Sequence, residues 1–505
     1  MFRHFRRATG WALLVTIGLM IFGGPTWAEN DSEKTQPDQD SRKPSVTHHT
    51  LKIDGETLKY TATAGYMPLK DDKDKVKARI FYVAYHKDGT DAKDRPVTFC
   101  FNGGPGAASA WLHLGALGPR RVVFPEDGTV LPEDPRLRDN EHTWLTFTDL
   151  VFVDPVGTGY SHTTEGVEPK QYWSVQGDLD SVAEFIRLYV TRNGRWLSPK
   201  YLAGESYGAT RAGGLASHLQ DAHDINLDGM ALISSALDFQ TIAFAPNHDL
   251  IYSLFLPSMT ATAFYHKRLK SSLQKDFQKT LAEVEEWAMS DYLAALAMGD
   301  DLAKKRRREV AATLARYTGL PKKDILDQDL RISRGYFGKN LLRKHDRKVG
   351  LYDGRVTGIA SHPERQRYGG YDPSAFMTKG PLRETFNHYV RSELKWQTER
   401  KYHLLSGKVN HSWDWQTKMG YPEVLGSLHE AMTRNPRMKV LMACGYYDLT
   451  TTYAGSKWVV RHLDLDPAVR KNVSFGFYQG GHMMYTHLPA LKKLTRDARK
   501  LFRTN

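Results

Sequence analysis

A serine, an aspartate and a histidine stand at marked places in this 505-residue chain, in a setting that suits attack on a carbonyl. Ser206 is the centre of Gly204-Glu205-Ser206-Tyr207-Gly208, a G-x-S-x-G pentapeptide. The apolar-aromatic run 200–203 precedes it, and a small-residue segment, 209–222, follows. This is the strand–turn–helix context that lifts a serine hydroxyl clear of a sheet on a turn so tight that its flanks must be small. The N–H of Tyr207 then lies at the helix start, where an oxyanion can be held. Asp448 follows the buried strand-like run 440–445, and His482 follows the run 473–478 through Gln479-Gly480-Gly481. Serine is a poor nucleophile at its own pKa, so a histidine must take its proton. An aspartate fixes the imidazole tautomer and stabilises the imidazolium as it forms. Upstream, the apolar run 96–101 ends in Asn102-Gly103-Gly104-Pro105-Gly106. Backbone N–H groups in such a turn can point at a ligand and supply the second arm of an oxyanion hole.

The order serine, aspartate, histidine, with spacings of 242 and 34 residues, is that of the α/β-hydrolase arrangement. Elements must bring these distant residues together. Residues 50–64 read as a β-hairpin turning at Asp54-Gly55, and 78–85, 96–101, 149–154, 230–234, 440–445 and 473–478 read as strands. Residues 172–191 have a helical period, a helix starts at 458–463, and another, 488–502, closes the chain. Strand, helix, strand, elbow, helix, strand predicts a mainly parallel central sheet flanked by helices, with the catalytic loops at the carboxyl ends of strands. Between 238 and 420 no buried strand run occurs. Helical stretches at 258–290, 291–315 and 322–330 and a loop-rich aromatic stretch at 361–376 predict an inserted, largely helical cap over the sheet edge. Such a cap would gate the site and select its substrate. The expected division is a signal peptide 1–28, a flexible polar tail 29–46, the first part of the core 47–237, the cap 238–420, and the second part of the core 421–505.

Arg3, Arg6 and Arg7, a short apolar run 11–22, and Thr26-Trp27-Ala28 have the form of a secretory signal cut after Ala28. The apolar middle is shorter than the ~20 residues a membrane span needs, so no stable span is expected after cleavage. A signal without a disulfide framework points to a secreted protein, in a bacterial periplasm. Cys100 and Cys444 are the two cysteines, and both lie in apolar strand-like runs, where buried free thiols are expected. Formal net charge is +13, and Lys304-Lys305-Arg306-Arg307-Arg308 reads as a solvated helix face. No aromatic recognition motif accompanies the charge, so nucleic-acid binding is not expected. There is no H-e-x-x-H, no Cys/His cluster, and no G-x-G-x-x-G after the first strand, so neither a metal nor a dinucleotide cofactor is expected.

With these motifs placed, the chain resembles the serine carboxypeptidases. The resemblance rests on Asn102-Gly103-Gly104-Pro105-Gly106, the loop from Asp154-Pro155-Val156 to Gly159-Tyr160-Ser161, Gly204-Glu205-Ser206-Tyr207-Gly208, Asp448, and Gly481-His482. It covers the mature chain apart from the cap. It implies removal of one C-terminal amino acid from a peptide with a free C-terminus, through an acyl-enzyme. Ser206 would be the nucleophile, His482 the general base and Asp448 its partner. Gly104 and Tyr207 would form the oxyanion hole, and Asn102 and Glu205 would bind the terminal carboxylate. Glu205 can do so only when protonated, because two carboxylates repel unless they share a proton.

The chain departs from the family at three points. The family pairs this glutamate with a second one before a Leu-Gly-Pro; here Ala116 stands before Leu117-Gly118-Pro119. Arg120, Arg121 or Arg211 could supply charge in its place. Ala107-Ala108 occupies a position where cysteine and serine are common, and the family's disulfides have no obvious counterpart. The same triad would also serve an esterase or an acyltransferase, because fold does not fix reaction. A catalytically inert hydrolase domain used for binding is the reading from another class.

Overall fold

The computed structural model describes residues 43–130, 134–360 and 371–502. The expected signal peptide and residues 29–42 of the expected tail lie outside the described residues. β1 (Ser45–Ile53) and β2 (Glu56–Lys70) pair antiparallel with Ile53 opposite Glu56, so the connection is two residues long. Asp54 and Gly55 sit there at φ 51° and 85°, and positive φ at both positions matches the twist of a tight hairpin. β1 starts at Ser45, so Ser45 and Val46 belong to the sheet and not to the expected tail. Their polar sequence hides the strand, because on this edge only Leu51 is buried.

The sheet continues with β3 (Val76–Lys87), β4 (Val97–Phe101), β5 (Asp149–Val153), β6 (Lys200–Glu205), β7 (Gly229–Ile233), β8 (Lys439–Gly445) and β9 (Val473–Tyr478). The spatial order is 1-2-3-5-4-6-7-8-9, and the two-residue strand His162–Thr163 pairs beside β3 as a tenth. From β5 through β9 every pairing is parallel, and the first hairpins are antiparallel. The helices that matter to the site are α1 (Val175–Arg192), α2 (Tyr207–His223), α3 (Leu250–Tyr265), α4 (Phe277–Trp287), α5 (Lys304–Thr318), α6 (Arg334–Asn340), α7 (Pro373–Ser392), α8 (Tyr453–Arg461) and α9 (Leu488–Leu501).

Both faces of the sheet are covered, which is why its central strands read as unbroken apolar runs. In β3, Ile80, Tyr82 and Ala84 join one core with Val182 and Ile186 of α1 and Leu215 and Leu219 of α2. Phe81, Val83 and Tyr85 face the opposite core, with Phe386 and Val390 of α7 and Leu491 and Leu494 of α9. Each large apolar side chain so buried contributes about 1.5–3 kcal/mol. Cys100 belongs to the second core and Cys444 to the first, both as buried free thiols.

Helices α3 to α6 form a third cluster, with Phe255, Met259, Val284, Leu314 and Phe337. Leu449, next to Asp448, is part of it, so this region packs against the aspartate loop. The basic run opens α5, where Arg306 pairs with Asp291 and Arg307 with Asp329. Two features depart from expectation. Arg347–Val349 and Thr357–Ile359 form a short antiparallel pair, too short and too exposed to appear as an apolar run. Helix α7 begins at Pro373, inside the stretch expected to be loop through Phe376. Asp372 caps it by accepting from the Ala375 N–H, and Pro373 takes the first helical position. Residues 361–370 of that stretch lie outside the described residues. Among the described residues no helix is long and apolar enough to cross a membrane, and no cluster of metal-ligating side chains occurs.

Candidate active site

Ser206 follows β6 and caps α2 at φ 61°, ψ −125°. A non-glycine residue held there stores of order 1–3 kcal/mol and persists only when its surroundings fix it. They do. The Ser206 N–H donates to Ile233 O at 3.0 Å, and the Ala209 N–H donates to Ser206 O at 2.9 Å. A Cβ on Gly204 would overlap Gly208 O, and one on Gly208 would come within 2.5 Å of Phe101 O. The pentapeptide needs its two glycines for this close backbone approach. A Cβ on Gly103 would overlap the Tyr207 N–H, so the 102–106 loop lies backbone to backbone against the elbow. Gly104 sits at φ 101°. The Tyr207 N–H opens α2 and has no intrahelical acceptor. The two N–H groups expected to hold an oxyanion thus come from segments in contact.

Asp448 and His482 meet beyond the carboxyl ends of β8 and β9. His482 Nδ1 lies 2.8 Å from Asp448 Oδ2. Asp448 Oδ1 accepts from the N–H groups of Thr450 at 2.7 Å and Thr451 at 2.9 Å, which fixes the carboxylate. The Thr451 hydroxyl donates to Asp448 Oδ2 or to Ser234 O, and lies 3.1 Å from His482 Nδ1. Both side chains are fully buried. Burial disfavours the imidazolium, but Asp448 outweighs it and the His482 pKa is raised.

The histidine loop is held by the insert. The His482 N–H donates to Tyr352 O at 2.5 Å, and the Gly481 N–H donates to Asp353 Oδ2 at 3.0 Å. Asp353 is itself fixed by a buried ion pair with Arg355, 2.6 Å. The Tyr352 ring stands edge-on to the imidazole, centroids 5.1 Å apart. No motif marks residues 352–355, and sequence reasoning missed them.

Glu205 is the last residue of β6 and is 4% exposed. Its Oε2 accepts from the Tyr485 hydroxyl at 2.6 Å. Asn102 Oδ1 accepts from the Leu112 N–H at 3.0 Å, which turns its amide N–H groups toward Glu205. Burial pushes the Glu205 carboxyl up to about 7, against the opposing pull of His482, Tyr485 and Asn102. Sequence reasoning sought the replacement for the missing glutamate among arginines, and the structure corrects this. Arg120 pairs with Asp139 and Glu393, and Arg211 pairs with Asp178 and donates to Asn102 O at 2.7 Å. Arg121 faces Glu141 and Arg138. The partner of Glu205 is Tyr485, three residues after His482. Its ring lies so close to Gly115 that a Cβ there would come within 2.7 Å. Gly115, one residue before Ala116, therefore leaves the space that the tyrosine fills. A tyrosine three residues past the histidine was the available signal.

The loop from Asp154 to Ser161 braces the site. Asp154 Oδ1 accepts from the N–H and hydroxyl of Ser109, at 2.8 and 2.7 Å, just past Ala107-Ala108. The Ser161 hydroxyl donates to Asp154 O and accepts from the Phe81 N–H at 2.7 Å.

Known proteins resemble this chain in sequence and in fold. Serine carboxypeptidase-like 45 of Arabidopsis thaliana is 26% identical over 243 residues, 44% of this chain and 48% of that one. A pheromone-processing carboxypeptidase KEX1 of Yarrowia lipolytica is 30% identical over 168 residues, 31% of this chain and 25% of that one. The chain thus spans half or less of the length of the curated relatives it matches. The crystal structure of KEX1(delta)p, a prohormone-processing carboxypeptidase from Saccharomyces cerevisiae, shares the fold. Its TM-score is 0.54 at 17% identity, over 87% of this chain and 91% of that one. The serine carboxypeptidase family model matches residues 53–474, a segment that includes Ser206 and Asp448 and ends eight residues before His482. With a match over most of its length, an α/β-hydrolase sheet and the elbow in place, the chain belongs to the serine carboxypeptidase family.

Proposed function

We propose that the protein removes the C-terminal residue of peptides through an acyl-enzyme on Ser206. The observation that carries this reading is the buried Glu205 carboxyl, one residue before the serine and hydrogen-bonded by Tyr485 and Asn102. A carboxyl that holds its proton to about 7 can donate to a carboxylate, where an ionised one would repel it. An esterase has no need of such a group.

The chemistry follows. Ser206 Oγ attacks the scissile carbonyl carbon and its proton passes to His482 Nε2, since Nδ1 is committed to Asp448. The N–H groups of Gly104 and Tyr207 take the oxyanion. The C–N bond breaks as His482 returns the proton to the leaving amine, and a free amino acid departs. Water, deprotonated by His482, then attacks the Ser206 ester; the peptide leaves as the acid and the proton returns to Ser206. Asn102 and Glu205 bind the terminal carboxylate throughout. The insert of residues 238–420 acts as the cap over this site, on the support of its contacts with the aspartate and histidine loops. Export is proposed from residues 1–28 alone, and the relatives reported are eukaryotic, so a periplasmic location draws no support from them.

The test is covalent labelling by a fluorophosphonate, with Ser206→Ala as blank, followed by turnover of an N-blocked dipeptide as free acid and as amide. Labelling with fast turnover of the free acid alone is expected. Labelling with equal turnover of both forms, or of simple esters only, would replace this reading with a general acyl hydrolase.

A further inference from the structure

Arg334, the first residue of α6, brings a positive charge to the aspartate–histidine side of the site. Its Nη1 donates to Thr450 O at 3.5 Å, and the Thr450 N–H holds Asp448 Oδ1. Its guanidinium lies 5.8 Å from the centre of the Phe244 ring. Through Thr450 it lies against the loop that carries Asp448, and it acts electrostatically on Asp448 and His482.

Among the described residues no carboxylate pairs with it. The two acidic neighbours are spoken for. Asp448 serves His482, Thr450 and Thr451, and Asp372 serves Leu351, Ser374 and Ala375. A guanidinium has five donors, and here one of them makes one long bond to protein. A half-buried cation left so keeps most of its donors free for an anion. The other arginines near the site show the contrast, since Arg211 and Arg355 are each closed by an aspartate.

We infer that Arg334 is a substrate receptor, completed by a carboxylate of the bound peptide. This rests on the peptidase reading above. The carboxylate is either the terminal one, shared with the Asn102–Glu205 pair, or the side chain of an Asp or Glu next to the scissile bond. A planar bidentate fork selects a carboxylate over the matching amide.

The experiment compares wild type with Arg334→Gln and Arg334→Lys on N-blocked dipeptides that carry leucine or glutamate on either side of the scissile bond. An aryl acetate, which has no carboxylate, reports on the triad alone. Arg334→Gln is expected to raise KM roughly ten- to a hundredfold on carboxylate substrates, with kcat and aryl acetate turnover little changed. Arg334→Lys should recover part of the loss. Loss on all free acids assigns the terminal carboxylate; loss confined to glutamate substrates assigns the side chain. Unchanged KM on every substrate, or an equal loss on the aryl acetate, would overturn the receptor. Should wild type fail to prefer free acids over amides, the peptidase reading falls, and Arg334 is read instead on aryl esters of a diacid and its matching monoacid. Equal use of those two esters by wild type would then overturn the receptor as well.

Discussion

Glu205 and His482 are buried together and pull in opposite directions on one proton supply. The proposed clamp needs Glu205 protonated, which holds below about 7, and the proposed base needs His482 neutral, which its raised pKa opposes at lower pH. Their titrations belong to the pair rather than to either group. Tyr485→Phe removes a hydrogen bond that favours the charged carboxylate, so the Glu205 pKa should rise. The alkaline limb of kcat/KM on a free-acid dipeptide should then move up by about one pH unit. A limb that stays put would mean Tyr485 does not act on Glu205. Asp448→Asn should lower kcat by about 10⁴ without unfolding the chain, because the amide presents the wrong partner to His482 Nδ1. Stopped turnover with an unchanged melting curve is the check. At this scale the sequence was legible in position: Ser206, Asp448, His482 and Asn102 each stand just past a strand end, where the motifs put them. Tyr485 was not, because its meaning depends on the space beside Gly115, far away in the chain.

Elements explain how the proposed triad is assembled. The serine loop is made by β6 and α2, but the histidine loop depends on the insert, through Tyr352 O and Asp353. A Cβ on Gly481 would overlap Tyr352 O. Gly481→Ala should therefore displace His482 and lower kcat/KM by about 10². Gly426→Ala is the control, since a Cβ there meets nothing within 4 Å. Equal activities of the two variants would show that the insert does not position the histidine. The long strands and the helix before the elbow were legible because each is buried on a regular period. The edge residues of β1 and the 347–359 pair were not, because they bury little. The start of α7 carried a readable signal, Asp372 then Pro373, hidden by the aromatic, glycine-rich stretch before it.

At the scale of the molecule, two cores sandwich one sheet, and a third cluster sits over the aspartate loop. Cys100 and Cys444 lie in opposite cores, and burial raises both thiol pKa values. The native protein should therefore show no reactive thiol to a charged disulfide reagent and two after denaturation. A reductant should leave activity and Tm unchanged. A thiol count below two in denaturant would reveal a disulfide and contradict the two-core placement. Composition and strand order made this architecture legible. The contacts between insert and core were not, since they join segments more than a hundred residues apart through backbone N–H groups, a carbonyl and the Asp353 carboxylate.

The most direct test of the central claim is the ratio of kcat/KM for a free-acid dipeptide to that for its amide, from pH 5 to 8, in wild type and Glu205→Gln. His482 affects both substrates and cancels in the ratio. If Glu205 binds the terminal carboxylate as a neutral acid, the wild-type ratio falls as pH rises through about 7, and the variant's ratio does not change with pH. A wild-type ratio that is flat across this range, or a variant that follows the same fall, would contradict the account.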